Sequence, residues 1–234
     1  MKTKDAITHF NSVTQSDIYR YACYLTDITP QTAEERFQRW LFSYASVHTT
    51  WQLNCKLYCN LSETSWIGNR KELEARIIDS RAGFYNKRVD YICEFTDYYW
   101  KHPDWFLKSK HEDWLHYRDR IRAVAPGIGP AKGSFVVELI YPLAAEVVCV
   151  DTHIQQLYGY PPSVINKKGI RDKDTAEIEQ HWVKQCLKRG IPPVVARWLY
   201  WDRKQGQPDS RYWSFVLERG CDNGRGLAEF ARSA

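Results

Sequence analysis

Apolar positions along the chain recur mostly with a helical period. Phe37, Trp40, Leu41 and Tyr44 fall at i, i+3, i+4 and i+7, one face of a helix. Thr32, with Glu35 three positions on, reads as the capping box that starts it. Ile178, Trp182, Val183, Cys186 and Leu187 repeat the spacing in a later helix that stops at Gly190, before Pro192 and Pro193. Two more helices are predicted over 70–79 and 85–100, broken at Ser80-Arg81-Ala82-Gly83, the second stopped by His102-Pro103. Few segments alternate with period two. Residues 147–150, Val-Val-Cys-Val, are the best strand candidate, with a short extended loop as the alternative. The expectation is an all-α chain of roughly ten helices, without internal repeats or a long linker. Residues 161–169 read as the loop between two lobes, and 222–226 as a frayed tail.

Composition narrows the classes. Of 234 residues, 44% are apolar and 26% charged, enough for both a core and a soluble surface. No stretch approaches the ~18 apolar residues of a membrane span. The polar start, Met1-Lys2-Thr3-Lys4-Asp5, carries no apolar signal region, so an intracellular protein is expected, in cytoplasm, nucleoid or a phage-infected cell. Seven scattered cysteines point to reduced thiols rather than a disulfide framework. The net charge of +5 allows a nucleic-acid partner without requiring one. Ten tryptophans in a chain that is 15% aromatic fit either a core of large side chains or a surface on which bases stack.

The informative segment runs from Ile121 to Gly159. A helix closes at 121–124, and Pro126-Gly127-Ile128-Gly129-Pro130 makes a tight turn into a second helix over 131–140. Gly127 and Gly129 permit positive φ and a close backbone approach. Amides of such a turn, and of the helix start after it, suit a phosphate oxygen, with Lys132 adding charge. Further on, Cys149-Val150-Asp151-Thr152-His153-Ile154 places Asp151 where an extended segment becomes a helix. An acid there is a helix N-cap or something more.

Pro-Gly-Ile-Gly, an apolar helix and Val-Asp-Thr-His about twenty residues later together resemble the helix-hairpin-helix DNA glycosylase superfamily that contains endonuclease III. Gly83-Phe84-Tyr85-Asn86-Lys87-Arg88-Val89-Asp90-Tyr91-Ile92 is similar to that family's Gly-x-Tyr-x-x-Lys-Ala-x-x-Ile, and Leu41-Phe42-Ser43-Tyr44-Ala45-Ser46 stands where it has Leu-Ser-x-Gln. The resemblance covers about residues 32–160. It implies one glycosylase region over 1–234 made of two intertwined helical lobes, with a hairpin at about 121–140, an aspartate segment at about 147–159 and a lobe connection at about 160–170.

The implied activity is hydrolysis of the N-glycosidic bond of a damaged or modified base in base excision repair. Asp151 matches the catalytic aspartate, with Lys132 and His153 as lesser catalytic candidates. Gly127, Ile128, Gly129 and Lys132 would hold the DNA backbone, and the carbonyls of Gly127 and Gly129 a monovalent cation. Tyr44, His48 and Trp51 are the base-pocket candidates, and Arg118, Arg120, Arg122 and Lys132 a candidate basic rim. The implied partner is double-stranded DNA with a flipped base, bound by a monomer away from any membrane.

The chain departs from the family in three places. The family's nucleophilic lysine position holds Ala131, one residue before Lys132, a turn of about 100° on a helix, so a strand-cleaving lyase step is not expected. The four-cysteine loop is missing, because only Cys221 follows Cys186, so no iron–sulfur cluster is expected; Cys55 and Cys59 are too few for a metal. The glutamine position offers Ala45 or Ser46. Two alternatives stay open: a phage-type thymine-hypermodification enzyme transferring an amino acid or amine to activated 5-hydroxymethyluracil in DNA, and a non-catalytic DNA-binding module using the hairpin alone.

Overall fold

The computed structural model describes residues 1–204, apart from the side chains of 166–168. The predicted tail at 222–226, and Cys221, lie outside the described residues. All regular structure among the described residues is helical, in twelve α-helices. They are α1 (Lys4–Asn11), α2 (Gln15–Asp27), α3 (Ala33–Ala45), α4 (Trp51–Ser62), α5 (Arg70–Ser80), α6 (Tyr85–Lys101), α7 (Trp114–Ala123), α8 (Pro130–Ile140), α9 (Thr152–Leu157), α10 (Pro162–Lys168), α11 (Asp172–Lys188) and α12 (Pro193–Lys204). Short 3-10 turns lie at Thr64–Trp66 and Pro103–Phe106.

Local chemistry sets the boundaries. Thr32 accepts from the Glu35 amide while Glu35 accepts from the Thr32 amide, so the predicted capping box starts α3, and Thr14 and Asp17 do the same for α2. The break after α5 is made by Arg81 in the left-handed region at φ 60°. At the end of α11 the Ile191 amide donates to the Cys186 carbonyl and the Gly190 amide to the Leu187 carbonyl, with Gly190 at φ 65°. That pairing is a Schellman motif, which satisfies carbonyls the helix leaves open. Leu187, expected on the buried face of α11, is 51% exposed because the ridge runs through Ile178, Trp182 and Cys186.

Two expectations are corrected, and one open alternative is decided. The stretch at 161–169 is no loop between lobes: it holds α10, because Pro162 occupies a first-turn position where no amide hydrogen bond is needed and Gly169 at φ 67° ends the helix. Residues 147–150 take the extended-loop alternative; the amides of Val148 and Cys149 are taken by side chains described below. Cys23, Cys55, Cys93, Cys149 and Cys186 are free thiols, whereas Cys59 is held in a disulfide, so the expectation of reduced thiols does not extend to it.

The fold divides into two compact units. Unit one holds Met1–Thr29, Asp113–Arg118 and the described chain from Pro130 on; unit two holds Pro30–Glu112 and Asp119–Gly129. The core of unit two is a ring cluster, with Trp40 4.6 Å from Phe95 and 5.7 Å from Phe106. Unit one packs Phe10 of α1 edge-on to Trp182 of α11 at 4.8 Å. Trp40, Trp66, Trp182 and Trp198 are all buried, so these four serve the core. Each such side chain contributes about 2–3 kcal/mol on burial. Among the described residues no helix is long and apolar enough to cross a membrane.

Candidate functional site

In unit one, two buried glutamates hold the extended run that leads to Asp151. The Val148 amide donates to Glu179 of α11 at 3.0 Å, and the Cys149 amide donates to Glu138 of α8 at 2.7 Å. A sheet would have supplied those acceptors from a neighbouring strand; carboxylates replace it. Glu179 is in turn fixed by Ser134 Oγ at 2.8 Å and by the guanidinium of Arg118. Glu138 is fully sealed and takes the guanidinium of Arg197 from α12, with Nε 2.7 Å from Oε2.

Asp151 ends this run as the N-cap of α9. Its Oδ1 accepts from the Ile154 amide at 3.0 Å and its Oδ2 from Arg197 Nη1 at 3.2 Å. Its own amide donates back to the Cys149 carbonyl at 2.8 Å. The side chain of Asp151 is 23% exposed, while those of Arg197 and Glu138 are 4% and 0% exposed. The acid is therefore open to solvent on a base that solvent does not reach. Burial opposes the charge of Arg197, but Glu138, the Cys149 thiol and Asp151 outweigh it and hold its pKa above the usual value.

The two lesser candidates lie in the same unit. Lys132, in the first turn of α8, keeps partial exposure, and its Nζ sits 5.0 Å from the centroid of Phe135. Burial in its dense surroundings lowers its pKa, opposed by Cys149 and Asp151. Burial pushes the Cys149 thiol up to about 12, so it stays protonated. Burial also lowers the pKa of His153, with Asp151 opposing. The Nδ1 of His153 is buried without a hydrogen-bond partner, and the ring stands edge-on to Trp201 at 6.2 Å.

The hairpin turn belongs to unit two. Gly127 sits at φ 79°, and a Cβ there would come within 2.3 Å of Tyr91 Cδ2, so both backbone and space demand glycine. Ile128 is buried and anchors the turn, its amide donating to the Ala125 carbonyl at 3.2 Å. Gly129 faces open space.

A cleft of about 260 Å³ opens beside this turn in unit two, with Gly127 and Tyr91 on its wall. Tyr44 and His48 line it, as two of the three pocket candidates. Trp51 does not; it packs edge-on against Phe42 at 6.1 Å, because α4 carries it away from the end of α3. The remaining walls are Val47, Phe84, Lys87 and Arg88. Two members of the expected basic rim, Arg118 and Arg120, are also corrected. Arg118 is buried on Glu179, and Arg120 is held by Glu112 at 2.7 Å and by the Trp105 carbonyl, so neither faces outward as a phosphate contact.

The sequence reading missed Glu138, Glu179, Ser134 and Arg197. A signal was present for two of them. Glu138 is the only charge in Phe135-Val136-Val137-Glu138-Leu139-Ile140, and Arg197 the only one in Val194-Val195-Ala196-Arg197-Trp198-Leu199. A lone charge inside an apolar helix has to be paired. Among the described residues no three His, Cys, Asp or Glu side chains gather as metal ligands. Compared with protein-family models, curated proteins and solved structures, this chain has no match.

Proposed function

We propose that the chain is a DNA glycosylase of the helix-hairpin-helix type, hydrolysing the bond between a damaged or modified base and its sugar. The observation that carries this reading is Asp151: a partly open carboxylate held by a sealed arginine and a backbone amide. Departure of the base leaves positive charge on the sugar, and a fixed carboxylate lowers the energy of that charge while orienting the attacking water. Arg197 and the Ile154 amide each occupy one oxygen, which fixes the direction of the remaining lone pairs. The hairpin, with side-chain-free Gly127 and Gly129, suits a phosphate backbone, which positions DNA without reading its sequence. As the resemblance implies, the carbonyls of these two exposed glycines would hold a monovalent cation and so add positive charge next to that phosphate. The target base has to leave the stack to be reached.

The experiment is mass spectrometry of free bases and nucleosides after incubation with DNAs carrying oxidised, alkylated, deaminated, mismatched and 5-hydroxymethylated bases, the last with and without a phosphorylated hydroxymethyl group. Release of a free base with an abasic site left behind is expected. A mass-shifted nucleoside in an alkali-stable strand would replace this reading with base modification, and no reaction would leave only a binding module. Asp151→Asn is expected to lower base release by about 10²–10³-fold while DNA affinity holds.

A second reading takes Lys132 as nucleophile, from its place in the first turn of α8 with Asp151 among its electrostatic neighbours. Once deprotonated, its amine would attack C1′ as the base leaves; loss of a further proton and opening of the C1′–O4′ bond, with O4′ protonated, would give the imine. Borohydride would trap that adduct in the wild type and not in Lys132→Gln. Absence of any adduct keeps the hydrolytic reading.

A further inference from the structure

The cleft of unit two has a composition that the excision reading leaves unused. Arg88 on α6 is 4% exposed, yet its donors reach only main-chain oxygens: Tyr44 O, Val47 O at 2.9 Å and Gly83 O at 3.3 Å. Carbonyls at the end of α3 offset part of a cation's burial cost, but they carry no full negative charge. No aspartate or glutamate lines the cleft, and Lys87 brings a second cation to it. Glu94, outside the lining, acts on Tyr44.

The walls are flat rings. Phe84 is 65% exposed and held at φ 60°, a left-handed backbone that is strained for an aromatic residue. Its ring lies 5.4 Å from that of His48, which is itself at φ 50°. Tyr44 on the lining is 2% exposed, and its hydroxyl has no hydrogen-bond partner. The volume of about 260 Å³ is just below the usual range for small-molecule sites, which begins near 300 Å³, and is enough for one ring with its substituent.

We propose that this cleft binds a planar ring joined to an anionic oxygen group, with the ring between Phe84 and Tyr91 and the anion facing Arg88 and Lys87. The ligand is a base with an acidic substituent, or a base held together with its own phosphate, and the site stands apart from the excision reading. The two sources share one chemistry, and the probes below separate them. A neutral base alone would leave the guanidinium uncompensated.

The test is calorimetric titration of the full chain with four probes: thymidine, thymidine 5′-monophosphate, 5-carboxy-2′-deoxycytidine and orthophosphate. At low salt the anionic nucleosides are expected to bind at least about tenfold more tightly than thymidine and than orthophosphate, an advantage that shrinks as salt rises. Preference for the carboxylated base places the anion on the ring; preference for the monophosphate places it on the sugar. Lys87→Gln, at an exposed position, should weaken the anionic nucleosides about three- to tenfold and leave thymidine unchanged. Phe84→Ala should weaken all three nucleosides at least about fivefold through lost stacking.

Thymidine binding as tightly as the anionic nucleosides would overturn the proposal. So would orthophosphate matching the monophosphate, no binding by any probe, or both variants binding as the wild type does. The two readings fail separately. Binding of anionic nucleosides without base release from any DNA sinks excision and keeps the cleft; base release without that binding does the reverse.

Discussion

At the scale of single residues, the pair Glu138–Arg197 is where stability and the proposed chemistry meet. Both side chains are sealed, and the guanidinium also reaches Asp151. Removing one partner leaves a buried charge unmatched, at a cost of about 3–5 kcal/mol. Arg197→Met alone should therefore lower the melting temperature steeply. The double variant Glu138→Leu with Arg197→Met removes both charges and should recover much of that loss, although the Cys149 amide then loses its acceptor. The recovered fold should still be impaired in base release, because Asp151 has lost one of its two fixed donors. Recovery of activity together with stability would mean that Arg197 serves the fold alone. The helix start at Asp151 was legible in the sequence, since its motif is local. Its support was not, because Glu138, Glu179 and Arg197 lie far apart in the chain and meet only through packing.

At the scale of elements, helices whose start and stop signals are local were readable to within a residue or two. The capping box at Thr32 and the stop at Gly190 are examples. The run at 147–150 was not readable, because β-branched residues predict an extended backbone but not its partners. The hairpin shows the same divide within five residues. Its two glycines look equivalent in Pro-Gly-Ile-Gly-Pro, and the structure separates them. Gly127→Ala meets both a left-handed φ and the ring of Tyr91 at 2.3 Å, so it should cost about 2–4 kcal/mol in thermal or urea unfolding. Gly129→Ala meets nothing within 4 Å and should change stability by less than about 0.5 kcal/mol. Equal effects would mean that the turn is not built as described. Tyr91 could not be assigned from the sequence as the residue that fixes this choice.

At the scale of the molecule, unit one is closed by α1 and α2 packing on α11 and α12, so the start of the chain is held by residues some 190 positions away. His9 is the polar point of that closure. It is 7% exposed, its Nε2 donates to the Ala196 carbonyl at 2.9 Å, and its ring stacks on Trp182 at 5.8 Å. Burial lowers its pKa from 6.5 to about 4, with Arg203 adding to the shift and the Ala196 bond opposing it. The folded chain thus keeps His9 neutral where the unfolded chain binds a proton. Stability from this site is fully present above pH 6.5, falls as the pH drops through the window from 6.5 to 4, and is lost below it. The two limits correspond to about 3 kcal/mol, or roughly 10 °C in melting temperature for a chain of this size. Melting curves between pH 7.5 and 4 should show that slope. In His9→Phe the histidine part of the slope should vanish, leaving the carboxylate contribution at the acid end. An unchanged slope in that variant would remove His9 as the origin of the acid sensitivity and shift it to the remaining histidines whose pKa burial also lowers, His153 and His181.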